Sequence, residues 1–388
     1  MDTSHLRRVL DDTDWNFIAA RTSERTVHSL HWFPGNFIPQ IPAFLIQLLS
    51  RPTDLVLDPF CGTGTTGIEA VRLGRRSIVS DVSRAALQVA AGKIAAAANP
   101  NLHRELIGIG HQFFFSIRSR DVAGGRRGEG THPELARWYD PDTLSELRSL
   151  WRAIEKTSGP LRDILELIFT DTLFACASTS GGRTASGRER RHHWGWIADN
   201  VIPKTPFPHE ACGIFRKRLE RAAEIMLLHG HDHSVPATVV QQDARALAIP
   251  DCSVDLVVTS PPYLQMIDYT LANRLTYLWM GWPIDRERQR EIGARYRRKR
   301  RTSKSEYLDS FKRASENFFR VVRPGGLLAV VLGGSRRVPG ISEDALALLG
   351  EDFETIWGPR SRTPSKRRVA ERRGREAVEW ICVYRRPQ

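Results

Sequence analysis

Two short stretches of this chain combine residue types and spacings that could carry chemistry. The first is Ser260-Pro261-Pro262-Tyr263, which follows the apolar run Asp255-Leu256-Val257-Val258-Thr259. Two prolines at a strand end are poor sheet formers and fix a rigid turn. Such a turn can hold the Ser260 side chain and the Pro261 carbonyl as a fixed pair of acceptors beside the Tyr263 ring. An exocyclic base amine suits that arrangement. It is a weak nucleophile, because its lone pair is delocalised into the ring, and two acceptors would pull it toward tetrahedral geometry while Tyr263 stacks on the base. A base must first leave its duplex, at a cost of a few kcal/mol that an aromatic face helps offset. Outside such a setting, Pro-Pro-Tyr reads equally as a loop or a polyproline ligand.

The second stretch is Asp58-Pro59-Phe60-Cys61-Gly62-Thr63-Gly64-Thr65, between the run Leu55-Val56-Leu57 and a helical pattern. Glycines at this point let backbone approach a ligand closely, and the amides that open a helix suit a carboxylate or hydroxyl. The next strand pattern ends in Asp81, about where nucleotide-binding α/β folds place a ribose-binding acid. A dinucleotide fits less well than an adenosyl cofactor, because the third spaced glycine is absent. Asp243 follows a further strand pattern and reads either as a ligand to the adenine amine or as a helix N-cap.

The elements that must position these residues alternate. Strand Leu55–Asp58, helix Thr65–Leu73, strand Ser77–Asp81 and helix Ser83–Ala98 form a βαβα run, which predicts right-handed crossovers and a parallel sheet. Thr238–Gln242, Asp255–Thr259 and Leu327–Leu332 continue the strands, the last after helix Tyr307–Val322. Arg323-Pro324-Gly325-Gly326 reads as a turn into Leu327–Leu332. Phe353–Trp357 and Glu379–Arg385 complete the sheet. Between the halves, Asn99–Val235 is too long for a bare loop. Helical patterns over Asp142–Lys156, Leu161–Ala177 and Phe215–Leu228 predict an inserted helical subdomain, with loops at Gly124–Gly128 and Ser180–Arg191. The division expected is 1–98 (cofactor half), 99–235 (insertion, a candidate for target recognition) and 236–388 (catalytic half with basic loops).

These motifs resemble those of the site-specific DNA amino-methyltransferases. Asp58 to Thr65 is similar to that family's Asp-Pro-Phe-x-Gly-x-Gly-Thr cofactor motif. His31-Trp32-Phe33-Pro34-Gly35-Asn36-Phe37 resembles its amino-terminal motif, often His-x-Tyr-Pro-Ala-Lys-Phe, with Asn36 in place of the Lys. Without the family, that segment reads as aromatic core packing. The resemblance covers about residues 28–98 and 238–388, including Leu264–Tyr269, Arg274–Gly281 and Glu379–Tyr384. It implies a Rossmann-like, S-adenosylmethionine-dependent fold with a mostly parallel, doubly wound sheet. It further implies that Phe33, Pro34, Asp58, Pro59, Phe60, Cys61, Gly62, Thr63, Gly64 and Thr65 hold the cofactor, with Asp81 on its ribose and Asp243 near its adenine. Ser260 as the first residue of the catalytic turn resembles the cytosine-N4 branch, whereas adenine-N6 members carry Asp or Asn. The alternatives are adenine-N6 methylation, methylation of structured RNA, and a catalytically silent nucleic-acid-binding relative. The cytosine-C5 class is disfavoured, because the chain holds no Pro-Cys dipeptide.

Bulk properties agree with a polyanionic partner. The 388 residues carry a net charge of +13, and Lys and Arg gain by displacing counterions from phosphates. Arg297, Arg298, Lys299, Arg300 and Arg301 form one basic run, and Lys366, Arg367 and Arg368 lie in a second, Arg360–Arg375. Arg183–His193 is a third. Each would grip phosphates without reading sequence, and each alone also reads as a solvated face. Duplex DNA is the partner expected, and the resemblance allows a cognate restriction endonuclease. Five scattered cysteines without a CxxC pair, no signal-peptide pattern and no long apolar run predict a soluble, cytoplasmic protein without a membrane partner. His229-Gly230-His231-Asp232-His233 lacks the partner spacing of a metal site, so no metal is expected. Trp194-Gly195-Trp196 reads as core packing.

Overall fold

The computed structural model describes residues 3–17, 26–35, 37–118, 130–177, 197–200, 202, 206–229, 235–335, 337–363 and 378–388. Asn36, the loops at 124–128 and 180–191, the basic run 183–193, Trp194–Trp196, residues 230–233 and Lys366, Arg367 and Arg368 lie outside them.

Seven described strands form one sheet: β1 (Leu55–Asp58), β2 (Arg76–Asp81), β3 (Ala237–Gln241), β4 (Val254–Thr259), β5 (Val322–Gly333), β6 (Glu354–Arg362) and β7 (Glu379–Arg385). Their order is β3-β2-β1-β4-β5-β7-β6. The first five run parallel, and β7 pairs antiparallel with both β5 and β6. The chain is therefore α/β, doubly wound and mostly parallel, as the alternating pattern predicts. The strand order reverses at β1, which pairs β2 on one side and β4 on the other. Open α/β sheets bind ligands beyond the carboxyl ends of the strands at such a switch point. Asp58 and Thr259 end the two strands that meet there.

The longer described helices are α1 (Thr3–Asp12), α2 (Gln40–Leu49), α3 (Thr65–Arg72), α4 (Arg84–Ala98), α5 (His103–Arg118), α6 (Pro141–Ile154), α7 (Gly159–Cys176), α8 (Ala211–His229), α9 (Arg274–Met280), α10 (Ile284–Arg290), α11 (Ser303–Val321) and α12 (Ile341–Gly350). Strand residues alternate between the two faces of the sheet. Val56, Leu256, Val258, Ala329 and Val331 pack with α1 and α2 on one face. Leu57, Val257, Leu328 and Val330 pack with α11 and α12 on the other.

The insertion is helical, but it shares its core with the sheet domain. One buried cluster runs from Ile68, Val79 and Ala90 through Leu147, Leu167 and Phe215 to Trp279. Gly92 of α4 makes the docking possible, since a Cβ there would stand 2.6 Å from the Asp163 carbonyl and 2.5 Å from the Leu167 Cβ. Arg323-Pro324-Gly325-Gly326 departs from expectation. It lies within β5 at a break in register opposite Val254 and Leu256, with Gly325 at φ +72°. A bulge absorbs the extra residues, so the strand begins earlier than the Pro-Gly signal suggests.

Candidate active site

One cleft opens at the switch point, enclosing about 920 Å³ including its mouth. Phe33, Pro34, Asp58, Pro59, Phe60, Cys61, Gly62, Thr63, Thr65, Asp81 and Asp243 line it, and so do Ser260 and Pro262. Residues separated by some two hundred positions in sequence thus face one space.

Asp58 anchors the glycine turn. Its carboxylate accepts from Thr66 Oγ1 at 2.6 Å, Thr259 Oγ1 at 2.7 Å and the Phe60 amide at 3.1 Å. Burial pushes its pKa up to about 6 against the pull of these donors. Gly62, at φ +50°, has nothing within 4 Å of where a Cβ would stand, so its backbone borders open cleft. Asp81 accepts from the Gly62 amide at 3.0 Å and the Ser83 amide at 2.9 Å, which ties the turn to the end of β2. Burial raises its pKa as well. Burial also drives the Cys61 thiol well above its ordinary range, and the nearby Asp81 and Asp58 charges add to this. A thiol so protonated is a packing group, not a nucleophile.

Gly64 is brought near but not into the lining. At φ +78° it caps α3, and a Cβ there would stand 2.9 Å from the Ala90 Cβ. Its place in the motif is explained by helix packing. Asp243 lines the cleft but caps no helix. Arg245 grips its carboxylate at 2.9 and 2.7 Å. Burial alone would raise its pKa, but the Arg245 hydrogen bonds and the charges of Arg245 and Arg290 outweigh that and hold it low.

The catalytic turn follows β4 directly. Ser260 and Pro262 face the cleft, whereas Pro261 and Tyr263 are not among its lining residues. Tyr307 donates to the Pro262 carbonyl at 3.1 Å and fixes the turn. The Tyr263 ring is packed against Gly333, where a Cβ would stand 2.1 Å from Tyr263 Cε2. Its hydroxyl meets Ser260 Oγ at 3.3 Å and donates to Glu379 Oε1 at 3.0 Å. The ring is therefore packed on β5, with its hydroxyl between Ser260 and Glu379.

Comparison with known proteins gives the sequence context of this cleft. Residues 5–92 match the family model of the DNA methylases. Over 74 residues the chain is 36% identical to a type II methyltransferase, M.MjaII, of Methanocaldococcus jannaschii, covering 19% of this chain and 14% of that protein. Over 71 residues it is 37% identical to a type II methyltransferase, M2.DpnII, of Streptococcus pneumoniae, covering 17% and 26%. The matches thus span about a quarter or less of these two relatives. They support the DNA methylase family. A solved S-adenosylmethionine-dependent methyltransferase from Methanosarcina mazei is similar at 10% identity and a TM-score of 0.36, over 88% of this chain and 97% of that one. The ribosomal RNA methyltransferase aviRa from Streptomyces viridochromogenes is similar at 13% identity and a TM-score of 0.33, over 99% and 93%.

The cleft also holds residues that sequence reasoning passed over. Glu291 is 5% exposed and lines it beside Arg290 and Ile292. It accepts from the Thr270 hydroxyl, from the Thr270 amide at 2.5 Å and from the Tyr269 amide at 3.2 Å. Burial raises its pKa to about 7. It holds Tyr269, whose ring stacks on Phe33 at 6.4 Å between centroids and 16° between planes. Gly35, at φ +77°, admits that ring, because a Cβ would stand 3.0 Å from the Tyr269 hydroxyl. Glu291 lies just ahead of the basic run Arg297–Arg301, and its acidic sign there is the one signal the sequence offers.

That run is divided. Arg298, Lys299, Arg300 and Arg301 are exposed. Arg297 turns inward, bonding the Tyr296 hydroxyl at 3.0 Å and the Gln289 carbonyl at 2.6 Å, with Glu306 at 3.5 Å. These contacts brace the loop. Among the described residues no group of acidic, His or Cys side chains could hold a metal, and no helix is long and apolar enough to cross a membrane.

Proposed function

We propose that this chain transfers a methyl group from S-adenosylmethionine to the N4 amine of cytosine in duplex DNA. The observation that carries the reading is a single cleft lined by the Asp58–Thr65 turn and Asp81 at one part and by Ser260 and Pro262 at another. The residues fit the cofactor. Gly62 leaves room where a side chain would intrude, and Asp81 presents a carboxylate held by backbone amides, those of Gly62, Val82 and Ser83. When bound, S-adenosylmethionine supplies a methyl group already activated by its sulfonium. Asp58 through Thr65 would hold its methionine part, Asp81 its ribose hydroxyls, and Asp243 with Ala244 its adenine end.

Ser260 is the group at hand to accept a hydrogen bond from the target amine. Ser260 would hold the amine while it took up the methyl group, and the amine would release one proton to solvent. Catalysis of this kind is mainly positioning, which the fixed Pro261-Pro262 turn provides. The choice of cytosine over adenine rests on Ser260 and on its likeness to the N4 branch. Exposed Arg298, Lys299, Arg300 and Arg301 lie a short stretch beyond the cleft wall at Glu291 and Ile292, and so would hold phosphates beside an extruded base. The part played by residues 99–235 would be to contact the target duplex, and a restriction endonuclease acting at the same site would be the natural partner.

Calorimetric titration with S-adenosylmethionine tests the cofactor half. Wild type binds, Asp81→Ala weakens binding at least about tenfold, and Ser260→Ala binds as wild type yet transfers little methyl to DNA. Equal binding by Asp81→Ala would remove the cofactor assignment.

A further inference from the structure

The back of the catalytic turn carries a chain of four polar groups. Arg362 and Glu379 face each other across β6 and β7. Their side chains, 2% and 7% exposed, pair at 3.3 Å. Glu379 Oε1 accepts from the Tyr263 hydroxyl at 3.0 Å, and the Tyr263 oxygen lies 3.3 Å from Ser260 Oγ. A phenol has one proton to give. A carboxylate held by a buried guanidinium can only accept, so it takes that proton. The Tyr263 oxygen then accepts, and the Ser260 proton is the donor it faces.

From this geometry we infer that the Arg362–Glu379 pair sets the direction of the hydrogen bonds through Tyr263, so that Ser260 turns its proton away from the cleft and its lone pairs toward the substrate amine. This rests on the proposed amine chemistry and deepens it. Without the pair, Ser260 could equally point its proton at the cleft, where it would compete for the amine's lone pair instead of accepting from its N–H. Glu379 and Arg362 are thus positioning residues, acting through Tyr263 on Ser260. The packed ring agrees with that role. Gly333 fixes the ring, so the hydroxyl has a constant place between Ser260 and Glu379.

A double-mutant cycle separates this role from simple support of the fold. Single-turnover methyl transfer to genomic DNA is measured for wild type, Tyr263→Phe, Glu379→Gln and Ser260→Ala, and for each of the first two combined with Ser260→Ala. Tyr263→Phe keeps the ring and loses the relay, and the rate should fall about tenfold with cofactor and DNA affinities unchanged. In the Ser260→Ala background the same change should cost less than about twofold. Glu379→Gln should behave likewise, and if it does not fold, the Tyr263→Phe cycle decides alone. Additive losses would overturn the relay. Absence of transfer by wild type to any base amine would instead overturn the underlying reading, so the two failures are distinct.

Discussion

The Thr259 hydroxyl donates to Asp58 Oδ1 at 2.7 Å, joining the ends of β4 and β1 where the sheet reverses its order. One bond therefore couples the glycine turn to the residue that precedes Ser260. Because Asp58 is buried, removing a donor leaves a carboxylate oxygen short of a partner.

Thr259→Val should lower the free energy of unfolding by about 1–3 kcal/mol. Binding of S-adenosylmethionine should weaken with it. Thr259→Ser keeps the hydroxyl and should stay within about 1 kcal/mol of wild type. Denaturant titration of the three proteins checks this, and a Val variant as stable as wild type would mean the bond is idle.

Glu291 gives a pH signature. Its folded pKa is raised, to about 7 from 4.5. Between those values the folded state holds more protons than the unfolded one. Its contribution is therefore fully present below about pH 4.5 and is lost as pH rises through about 7. Glu291→Gln cannot ionise and should escape that loss. The difference in unfolding free energy should move in favour of the variant by about 3 kcal/mol between pH 4 and 8. A difference that stays flat over this range would contradict the burial of an ionisable carboxylate there.

The basic loop should separate into two kinds of residue. Replacing Arg298, Lys299 and Arg301 together by Ala should flatten the dependence of log affinity for DNA on log salt by about 2–3 in slope, with stability unchanged. Arg297→Ala should instead cost stability, since its guanidinium bonds Tyr296 and the Gln289 carbonyl. If Arg297→Ala flattens the salt slope and leaves melting untouched, it is a phosphate contact after all.

Gly333→Ala probes the packing behind Tyr263. A methyl group there would overlap the ring at 2.1 Å, so ring or strand must move. Overpacking of this kind costs about 1–3 kcal/mol. Methyl transfer should fall at least about tenfold while cofactor binding, set at Asp58 and Asp81, persists. Unimpaired transfer would show that Tyr263 need not be held.

The sequence made the sheet and most of the cleft legible, because both depend on local pattern. Leu55–Asp58 and Val254–Thr259 are short apolar runs ending in polar residues, and glycine or proline marks the turn after each. What stayed hidden depends on partners distant in sequence. Glu379 reads as an ordinary strand residue until β6 brings Arg362 beside it and β4 brings Tyr263. Arg362 was read with a phosphate-gripping run, yet it is buried in an ion pair. Glu291 gains its meaning only when Tyr269 and Thr270 fold back onto it. Helices α1 and α2 were also missed. Residues such as Leu6, Leu10 and Leu45 are core only because β6 and the central strands lie beneath them.

The most direct test of the account is transfer of a labelled methyl group from S-adenosylmethionine to genomic DNA, followed by digestion and mass spectrometry of the nucleosides. The account predicts label in N4-methylcytosine, sharply reduced by Ser260→Ala. Label in N6-methyladenine would keep the amine chemistry and overturn the choice of cytosine. Label confined to RNA, or found on no exocyclic amine of DNA, would contradict the account itself.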